Sequence, residues 1–473
     1  MPPTQTEEFA LPLTPKGSTA LIDHVDECCS KEVLLPLSPL DAMMHKLGVM
    51  LLYIFPRPAS SSAVYDLKKL HSSFITLVDD DYTILIGELH MDAQTGVVSV
   101  KQTHEARQSG AAGIRFETNT QSPMTTEEAM AQLSWELMPM PRGQTELIGV
   151  KATLLSDGGM VIGIDASHTL LDGEGMFTLM TAWGHHFRGM DKKDRLVINH
   201  DRHLLGGSGS PAQQPHPEFQ VIDMKSATNH SEASMVLPAP VLPSTSQHRF
   251  HFTPSMMKTI KDVASQEAVL RSSDPNYVST IDAITALFTA LISHARGHGQ
   301  DVKVTTALNA RRRLVPQLPE NFAGNVIFSA LSSYDAAELR PEDNGAGNIS
   351  PSMLSKLAQR VRGSIRGSDS NYLRDAINFM TNQNNLLAVQ PATNFVFGPD
   401  IMYTSWVRTG MYDAEFEGTH PWYVSVPPLP LDGFVIITEV PKGIPRVDVL
   451  VFLESTAMEK LRKLFAGVEY LHD

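Results

Sequence analysis

The chain has 473 residues, which is long enough for two or three domains that each bury a core of their own. Hydrophobic residues make up 42% and charged residues 19%, the balance of a soluble globular protein, which excludes a largely disordered chain. The formal net charge of -14 argues against a nucleic-acid-binding protein, because phosphate backbones are bound by basic surfaces.

Neither a secretory signal nor a disulfide framework is expected from the sequence. The two cysteines, Cys28 and Cys29, are neighbours and rarely bridge each other, so no disulfide framework is expected. The first residues are polar and acidic, without the apolar run of a secretory signal. The most apolar early run, 47–56, is about half as long as a membrane span. We therefore expect a soluble, cytoplasmic protein without a membrane span.

In chain order, the first part of the sequence alternates strand-like and helix-like segments. The spacing of apolar residues predicts a buried strand at 47–55 and an amphipathic helix at 63–78. Two strands around a turn are predicted within 83–101. The segment 147–167 is predicted to be a hairpin around the turn sequence Ser-Asp-Gly-Gly at 156–159.

Directly after His168 the apolar period changes from that of a strand to that of a helix. Met176, Met180, Trp183 and Phe187 recur with the spacing of one helix face. His168 therefore stands where a strand ends and a helix begins. Ligands and catalytic groups are often found at such corners, although every α/β chain has to turn there.

The composition changes between 200 and 245, where Gly, Ser, Pro and His accumulate without periodicity, so this stretch is predicted to be a long crossover linker. A second run of helices and strands follows. In the second helix, Ser279 or Thr280 is a natural N-cap. The predicted helices are 254–266, 279–296 and 353–367, and the predicted strands are 301–310, 325–334, 433–440 and 446–454.

His168 and Asp172 are the first candidates for chemistry. A histidine takes a proton from a hydroxyl or amine near neutral pH, and general-base assistance is worth about 10²–10⁴ in rate. No serine or cysteine nucleophile motif accompanies it, which favours a mechanism without a covalent intermediate. Asp172 could orient His168 or point away and brace the turn against a cation. The histidines at 185–186 and 294–298 lack further ligands at metal spacing, so no metal site is predicted.

Five segments in order along nearly the whole chain carry a resemblance to one family. They are "LPLSPLDAMM" (35–44), "SHTLLDGEG" (167–175), "STIDAITALFTALI" (279–292), "NARRRLVPQLPENFAGNVIF" (309–328) and "YTSWVRTGMYDAEFEGTHP" (403–421). Together they resemble the HxxxD acyltransferases called BAHD, which include plant hydroxycinnamoyl transferases and fungal trichothecene acetyltransferases. The HxxxDG signature alone would be weak, whereas five ordered matches are specific.

The resemblance implies a fold and a domain organisation. The expected fold is α/β, a two-domain chloramphenicol-acetyltransferase-like arrangement of mixed β-sheets flanked by helices, with a long crossover loop and an active-site channel between the domains. The expected boundaries are 1–199 for the domain that carries HxxxDG, 200–245 for the crossover linker and 246–473 for the second domain. A monomer is expected.

The resemblance also implies the reaction. Acyl-CoA would be the co-substrate and a small-molecule alcohol or amine the acceptor, with no metal. His168 would take the proton of the acceptor, which attacks the thioester directly. The indole N–H of Trp406, with Thr404 nearby, would donate to the oxyanion, although a tryptophan here could equally be a core residue. Ser279 and Thr280 are expected to contact the cofactor.

The supporting residues of the motif are given by the same resemblance. Asp172 would point away from the substrate and pair with Arg311, and Gly173 completes the HxxxDG signature. One segment departs from the family pattern, because 415–419 reads Glu-Phe-Glu-Gly-Thr where relatives read DFGWG, and only Phe416 is kept. This loop is mainly structural in the family, so the change need not abolish catalysis. It favours a place outside the plant clades, as a fungal-type enzyme of secondary metabolism that transfers acetyl or another short acyl group.

Two rival functions remain open from the sequence. Condensation or cyclisation enzymes that use a carrier-protein-bound acyl chain share the fold and read HHxxxDG, whereas residue 167 here is Ser. A non-catalytic binding protein would explain the altered loop, but the intact His168, Asp172, Gly173 and Arg311 argue against it.

Overall fold

A computed structural model describes residues 32–60, 63–223, 242–266, 277–297, 299–340, 349–441, 444 and 446–472. Cys28 and Cys29 lie outside these residues. In chain order the strands are β1 (Val33–Pro36), β2 (Gly48–Phe55), β3 (Glu88–Met91), β4 (Val98–Gln102), β5 (Arg115–Asn119), β6 (Ile148–Leu154), β7 (Met160–Ser167), β8 (Phe219–Val221), β9 (Thr245–Phe252), β10 (Val302–Asn309), β11 (Ile327–Tyr334), β12 (Val389–Pro391), β13 (Ile401–Ser405), β14 (Tyr423–Ser425), β15 (Phe434–Glu439) and β16 (Val447–Glu454). The α-helices are α1 (Pro39–Met43), α2 (Leu67–Asp81), α3 (His104–Ser109), α4 (Thr126–Gln132), α5 (Gly173–Phe187), α6 (Pro254–Ser265), α7 (Thr280–Arg296), α8 (Pro351–Gly367), α9 (Ser370–Thr381), α10 (Ser455–Ala466) and α11 (Glu469–His472).

Two large mixed sheets organise the described chain. The first has the strand order β14-β2-β7-β6-β5, in which only the β5–β6 pair is parallel. The second has the order β11-β10-β13-β15-β16-β9, with parallel pairs on either side of β13. Mixed sheets flanked by helices confirm the predicted fold class.

The helix after His168 illustrates why local patterns were sufficient for many elements. Met176, Met180, Trp183 and Phe187 are all buried in the core of the first sheet, as their spacing predicts. The helix α5 packs beside α2, whose face toward the core is likewise apolar. Burial of such a stripe is what holds an amphipathic helix on a sheet.

The chain crosses between the sheets near its C-terminus. The strand β14 pairs with β2 at the edge of the first sheet, with Tyr423 opposite Ile54 and Ser425 opposite Leu52. This strand lies in the range 246–473 that the sequence assigns to the second domain. The second sheet resumes with β15, so residues between β13 and β15 tie the two sheets together.

The predicted crossover stretch is partly structured where the structure describes it. Residues 219–221 form β8, which pairs antiparallel with β12. Just before it, His216 is buried with Nδ1 3.0 Å from Glu218 Oε1 and Nε2 3.1 Å from Asp375 Oδ2. Tyr372 donates its hydroxyl to Glu218. His216 therefore fastens this stretch to α9, a helix that the sequence reading did not predict.

This cluster should make stability depend on pH. Burial alone lowers the pKa of His216, but the hydrogen bonds and charges of Glu218 and Asp375 outweigh it and raise the pKa above its ordinary value. Such a histidine contributes stability fully below its unfolded pKa of about 6.5 and loses it as the pH rises through the folded pKa. From about pH 6 to about pH 9, the wild type should lose more unfolding free energy than His216→Gln, which lacks the titrating imidazole. Urea denaturation of both proteins measures this, and equal losses would contradict the role of His216.

Within the described residues, no helix is both long and apolar enough to cross a membrane.

Candidate active site

His168 lies at the corner between β7 and α5, where the sequence places it. Its backbone N–H donates to the carbonyl of Leu47 at 3.0 Å, which joins the corner to the start of β2. The His168 side chain is partly exposed, in contrast to its buried neighbours Ser167 and Thr169. The imidazole is therefore open to a ligand rather than sealed inside the core.

The orientation of the His168 ring is held by Asn325. Nδ1 lies 2.9 Å from Asn325 Oδ1. The amide nitrogen of Asn325 faces three oxygens and donates to the carbonyls of His168 (2.6 Å) and Thr169 (3.1 Å) and to Asp41 Oδ1 (3.1 Å). Because the nitrogen faces acceptors, the amide oxygen accepts the Nδ1–H of the imidazole. Nε2 then carries the lone pair, the form that a general base needs.

Asn325 is itself positioned by the buried carboxylate of Asp41. Asp41 Oδ1 accepts the backbone N–H of Asn325 at 2.9 Å, and Oδ2 accepts the Ser38 hydroxyl at 2.7 Å. Arg202 Nε lies 3.1 Å from Asp41 Oδ2. A buried chain of polar groups thus runs from Arg202 through Asp41 and Asn325 to His168.

Sequence reasoning missed the roles of Asp41 and Asn325. Both residues lie in segments that resemble the family, 35–44 and 309–328, which is the signal that could have drawn attention to them. The two residues are 284 positions apart, and no local pattern links a carboxylate to an amide over such a distance.

Removing the Asn325 side chain should impair turnover by releasing the imidazole. We expect Asn325→Ala to lower kcat by up to about a hundredfold, because small displacements of a reacting group carry a cost of that order. KM should change little. Steady-state kinetics with a thermal melt measures both quantities. The matched control is His216→Gln, which disturbs another buried polar cluster; an equal fall in kcat there would show that Asn325 acts only through stability.

Asp172 faces Arg311 and not His168. Its Oδ2 and Oδ1 each lie 2.8 Å from a terminal nitrogen of Arg311, a bidentate pair, and the backbone N–H groups of Gly175 and Val326 donate to the same carboxylate. Burial alone raises the pKa of Asp172, but the charge of Arg311 and these hydrogen bonds lower it below its usual value. The spacing left two roles open for Asp172, orienting His168 or bracing the turn against a cation, and the geometry supports the second.

The Asp172–Arg311 pair also joins the two sheets. Arg311 follows β10 of the second sheet and donates to the carbonyls of Phe322 and Gly324 at 3.1 Å and 2.9 Å. Asp172 is the N-cap of α5, beside the first sheet. The backbone N–H of Val326 donates to Asp172, and the preceding residue Asn325 is hydrogen-bonded to the His168 ring. The ion pair therefore holds the loop that orients the imidazole in place beside the corner.

A cavity of about 170 Å³ opens beside His168 between the two sheets. Residues of β2 and of the corner line one part of it, and residues of β10, β13 and β15 line another. Most of the lining side chains are apolar or small, which suits the uncharged parts of a small molecule. The lining comprises Met44, Leu47, Gly48, Val49, Met50, His168, Gly173, Glu174, Ala307, Asn309, Ile327, Met402, Thr404, Ser405, Trp406, Thr409, Val426, Leu429, Phe434 and Ile436.

Trp406 and Thr404 line the same cavity as His168. The half-buried Trp406 ring meets Phe177 edge to face, with ring centroids 5.6 Å apart. A Cβ at position 173 would lie 3.3 Å from Trp406 Nε1, so Gly173 permits the close approach of the indole. Among the described residues, no acceptor takes the indole N–H, which leaves it available to a ligand.

Ser279 and Thr280 do not belong to the described lining of this cavity. Ser279 caps α7, where its hydroxyl accepts the backbone N–H of Asp282, and Arg362 Nε donates to the Asp282 carboxylate at 2.7 Å. Their contact with acyl-CoA stays a prediction. In the part of the chain that the structure describes, no group of three or more His, Cys, Asp or Glu side chains could hold a metal ion.

The altered loop at 415–419 belongs to the core of the first sheet. Phe416 is buried in an aromatic cluster that includes Trp183, with ring centroids 5.4 Å apart. Glu417 and Gly418 have φ angles of 49° and 70°, and the backbone groups of residues 416 and 419 bond each other across this two-residue turn. Positive φ at both central residues is the geometry of a tight hairpin turn and favours Gly at the second. The loop thus has a structural role here.

Comparison by sequence connects this chain to named enzymes. A model of the Transferase family matches residues 25–466. Agmatine coumaroyltransferase-1 of Hordeum vulgare is 25% identical over 458 residues, which cover 92% of this chain and 93% of that protein. A hydroxycinnamoyltransferase of Narcissus pseudonarcissus is 25% identical over 438 residues, which cover 90% and 94%.

Comparison of structures supports the same fold. TRI101 of F. graminearum, solved in complex with coenzyme A and deoxynivalenol, superposes with a TM-score of 0.72 over 91% of this chain and 97% of its own. The two sequences are 16% identical in that superposition, so the likeness concerns the fold alone. It confirms the two-domain architecture with mixed sheets.

Proposed function

The chain belongs to the Transferase family of BAHD acyltransferases, and from this premise we propose that it moves an acyl group from acyl-CoA to a hydroxyl or amine of a small molecule, with His168 as general base. The observation that carries the proposal is the fixed imidazole: Nδ1–H is bonded to Asn325, and Nε2 keeps its lone pair beside a cavity that both sheets line. A base held in one tautomer at such a place can accept a proton from a bound acceptor.

The chemistry assigned to the residues is direct transfer. Nε2 of His168 takes the proton from the acceptor while the acceptor oxygen or nitrogen attacks the thioester carbonyl carbon. The carbonyl oxygen becomes an oxyanion, and the indole N–H of Trp406 or the hydroxyl of Thr404 donates to it. Such a donor is worth about 3–4 kcal/mol of transition-state stabilisation. When the carbon–sulfur bond breaks, the imidazolium returns its proton to the thiolate of CoA.

The acyl group and the acceptor are the finer parts of the proposal. The names of the two relatives refer to the transfer of coumaroyl and hydroxycinnamoyl groups, and one name includes the amine agmatine. An acetyl or other short acyl donor remains the expectation from the sequence. The fungal-type assignment rests on the 415–419 loop alone. The two relatives found by sequence comparison are plant enzymes, and the likeness to TRI101 concerns the fold.

Release of CoA thiol tests the proposed function against its rivals. The purified chain is incubated with acetyl-CoA or p-coumaroyl-CoA and a panel of amines and alcohols, and free thiol is titrated over time. Acceptor-dependent release that His168→Ala abolishes is the expected result. Transfer only from an acyl-loaded carrier protein would favour a condensation enzyme. Binding of CoA thioesters without any transfer would favour a non-catalytic protein.

A further inference from the structure

Glu174 is the one charged side chain among the described residues that line the cavity beside His168, if the imidazole is neutral. The other lining residues offer alkyl, thioether, hydroxyl, amide and aromatic groups. The Glu174 side chain is 30% exposed, so its carboxylate reaches the space where a ligand would lie. A carboxylate is ionised near neutral pH and repels anionic ligands.

The Glu174 carboxylate is held in place. Asn309 donates its amide nitrogen to Glu174 Oε2, and the amide oxygen of Asn309 accepts the backbone N–H of Arg311 at 3.1 Å, which fixes the orientation of the amide. Glu174 lies in the first turn of α5, where the unpaired N–H groups of the helix favour a negative charge. The position is therefore built for a carboxylate that stays in one place.

Glu174 shares its nearest guanidinium group with a closer carboxylate. Three carboxylates, Asp41, Asp172 and Glu174, stand against two guanidinium groups, Arg202 and Arg311. Arg202 lies 3.1 Å from Asp41, and Arg311 forms its bidentate pair with Asp172. Glu174 Oε1 is 3.9 Å from Arg311 Nε, whose N–H donates to a backbone carbonyl instead. Among these five groups, negative charges outnumber positive charges by one, and Glu174 is the carboxylate farthest from a guanidinium group.

We propose that Glu174 binds a cationic group of the acceptor, so that preferred acceptors carry an ammonium or guanidinium group in addition to the hydroxyl or amine that is acylated. This inference rests on the proposed function, which places the acceptor in this cavity. The aromatic rings of Trp406 and Phe434 line the same cavity and attract cations through their faces. Glu174 is thus a specificity residue, and neutral acceptors of the same shape bind less well.

A matched pair of probes tests the proposal. Tyramine carries an ammonium group for Glu174 and a phenol hydroxyl that can be acylated, and tyrosol differs from it by a hydroxyl in place of the ammonium group. Binding of each to the wild type, Glu174→Gln and Glu459→Gln is measured by isothermal titration at low ionic strength. The last variant changes an exposed glutamate on α10 and serves as the control. Thiol release from p-coumaroyl-CoA is followed with the same probes.

The wild type and Glu459→Gln should bind tyramine roughly tenfold to a hundredfold more tightly than tyrosol, the range of a hydrogen bond to a charged group. Glu174→Gln should lose this preference. Equal affinities in the wild type, or a preference that survives in Glu174→Gln, would overturn the role of Glu174. Because binding is measured without turnover, a Glu174-dependent preference with no thiol release would leave this inference standing while the proposed acyl transfer fails.

Discussion

His168→Ala should lower the rate of acceptor-dependent CoA release by between about a hundredfold and ten-thousandfold, the usual contribution of a general base. The physical reason is that, among the described residues that line the cavity, the other candidate base is the carboxylate of Glu174, which Asn309 holds. The variant should fold normally, because the His168 ring is partly exposed and fills little core volume. Steady-state assays of thiol release measure the rate, and the unfolding midpoint in urea measures the stability of the variant.

The matched control for this variant is His203→Ala, which removes an exposed imidazole that follows Arg202 directly in the chain. It should keep the wild-type rate. If His168→Ala retained more than a tenth of the rate while folded, the imidazole would not be the base.

Asp172→Ala should destabilise the protein by about 3–5 kcal/mol, because it leaves the Arg311 guanidinium buried without its counter-charge. The loss of the carboxylate that caps α5 adds to the effect. Activity should fall mainly as the folded fraction falls. The measurement is the free energy of unfolding in urea, with kcat determined on the remaining folded protein.

Two further variants separate charge from shape at this pair. The double variant Asp172→Leu with Arg311→Met should be more stable than Asp172→Ala, since no charge is left unpaired. Asp262→Ala removes the acid of an exposed pair with Lys258 and should leave the unfolding midpoint unchanged. An Asp172→Ala protein of wild-type stability that has lost turnover would show that the aspartate takes part in the chemistry instead.

The parts of the fold that rest on local patterns could be predicted from the sequence. The hairpin of β6 and β7 forms around the Ser-Asp-Gly-Gly turn, since Gly158 has a φ of 88° that other residues rarely adopt. Of the two N-caps predicted for α7, Ser279 and Thr280, the structure has Ser279, whose hydroxyl and Asp282 form a capping box. In each case a few neighbouring residues contain the whole signal.

Features that depend on distant parts of the chain could not be predicted in this way. The strand β14 is three residues long and is defined by its partner β2, because the register of a strand is set by what it packs against. The bond between Asn325 and His168 spans 157 residues.

The helix α9, in contrast, carried a local signal that the sequence analysis overlooked. Asp369 is its N-cap, and Leu373 and Ile377 follow as buried residues at helical spacing.

The residues of the candidate site also fall into those that the sequence predicts and those that only the structure reveals. The family resemblance placed His168, Asp172 and Arg311 together, and the structure brings the last two within 2.8 Å. The chain of Asp41 and Asn325 behind the imidazole became visible only with coordinates, and so did the position of Glu174 in the cavity. Both depend on which side chains meet in the folded protein.

A crystal structure of the protein with CoA and tyramine tests the central claim most directly, namely that acceptor and thioester meet at the cavity beside His168. We expect the nucleophilic atom of the acceptor about 2.6–3.2 Å from His168 Nε2, with the thiol of CoA in the same cavity. An acceptor or thiol bound elsewhere, with Nε2 facing only protein or solvent, would contradict it.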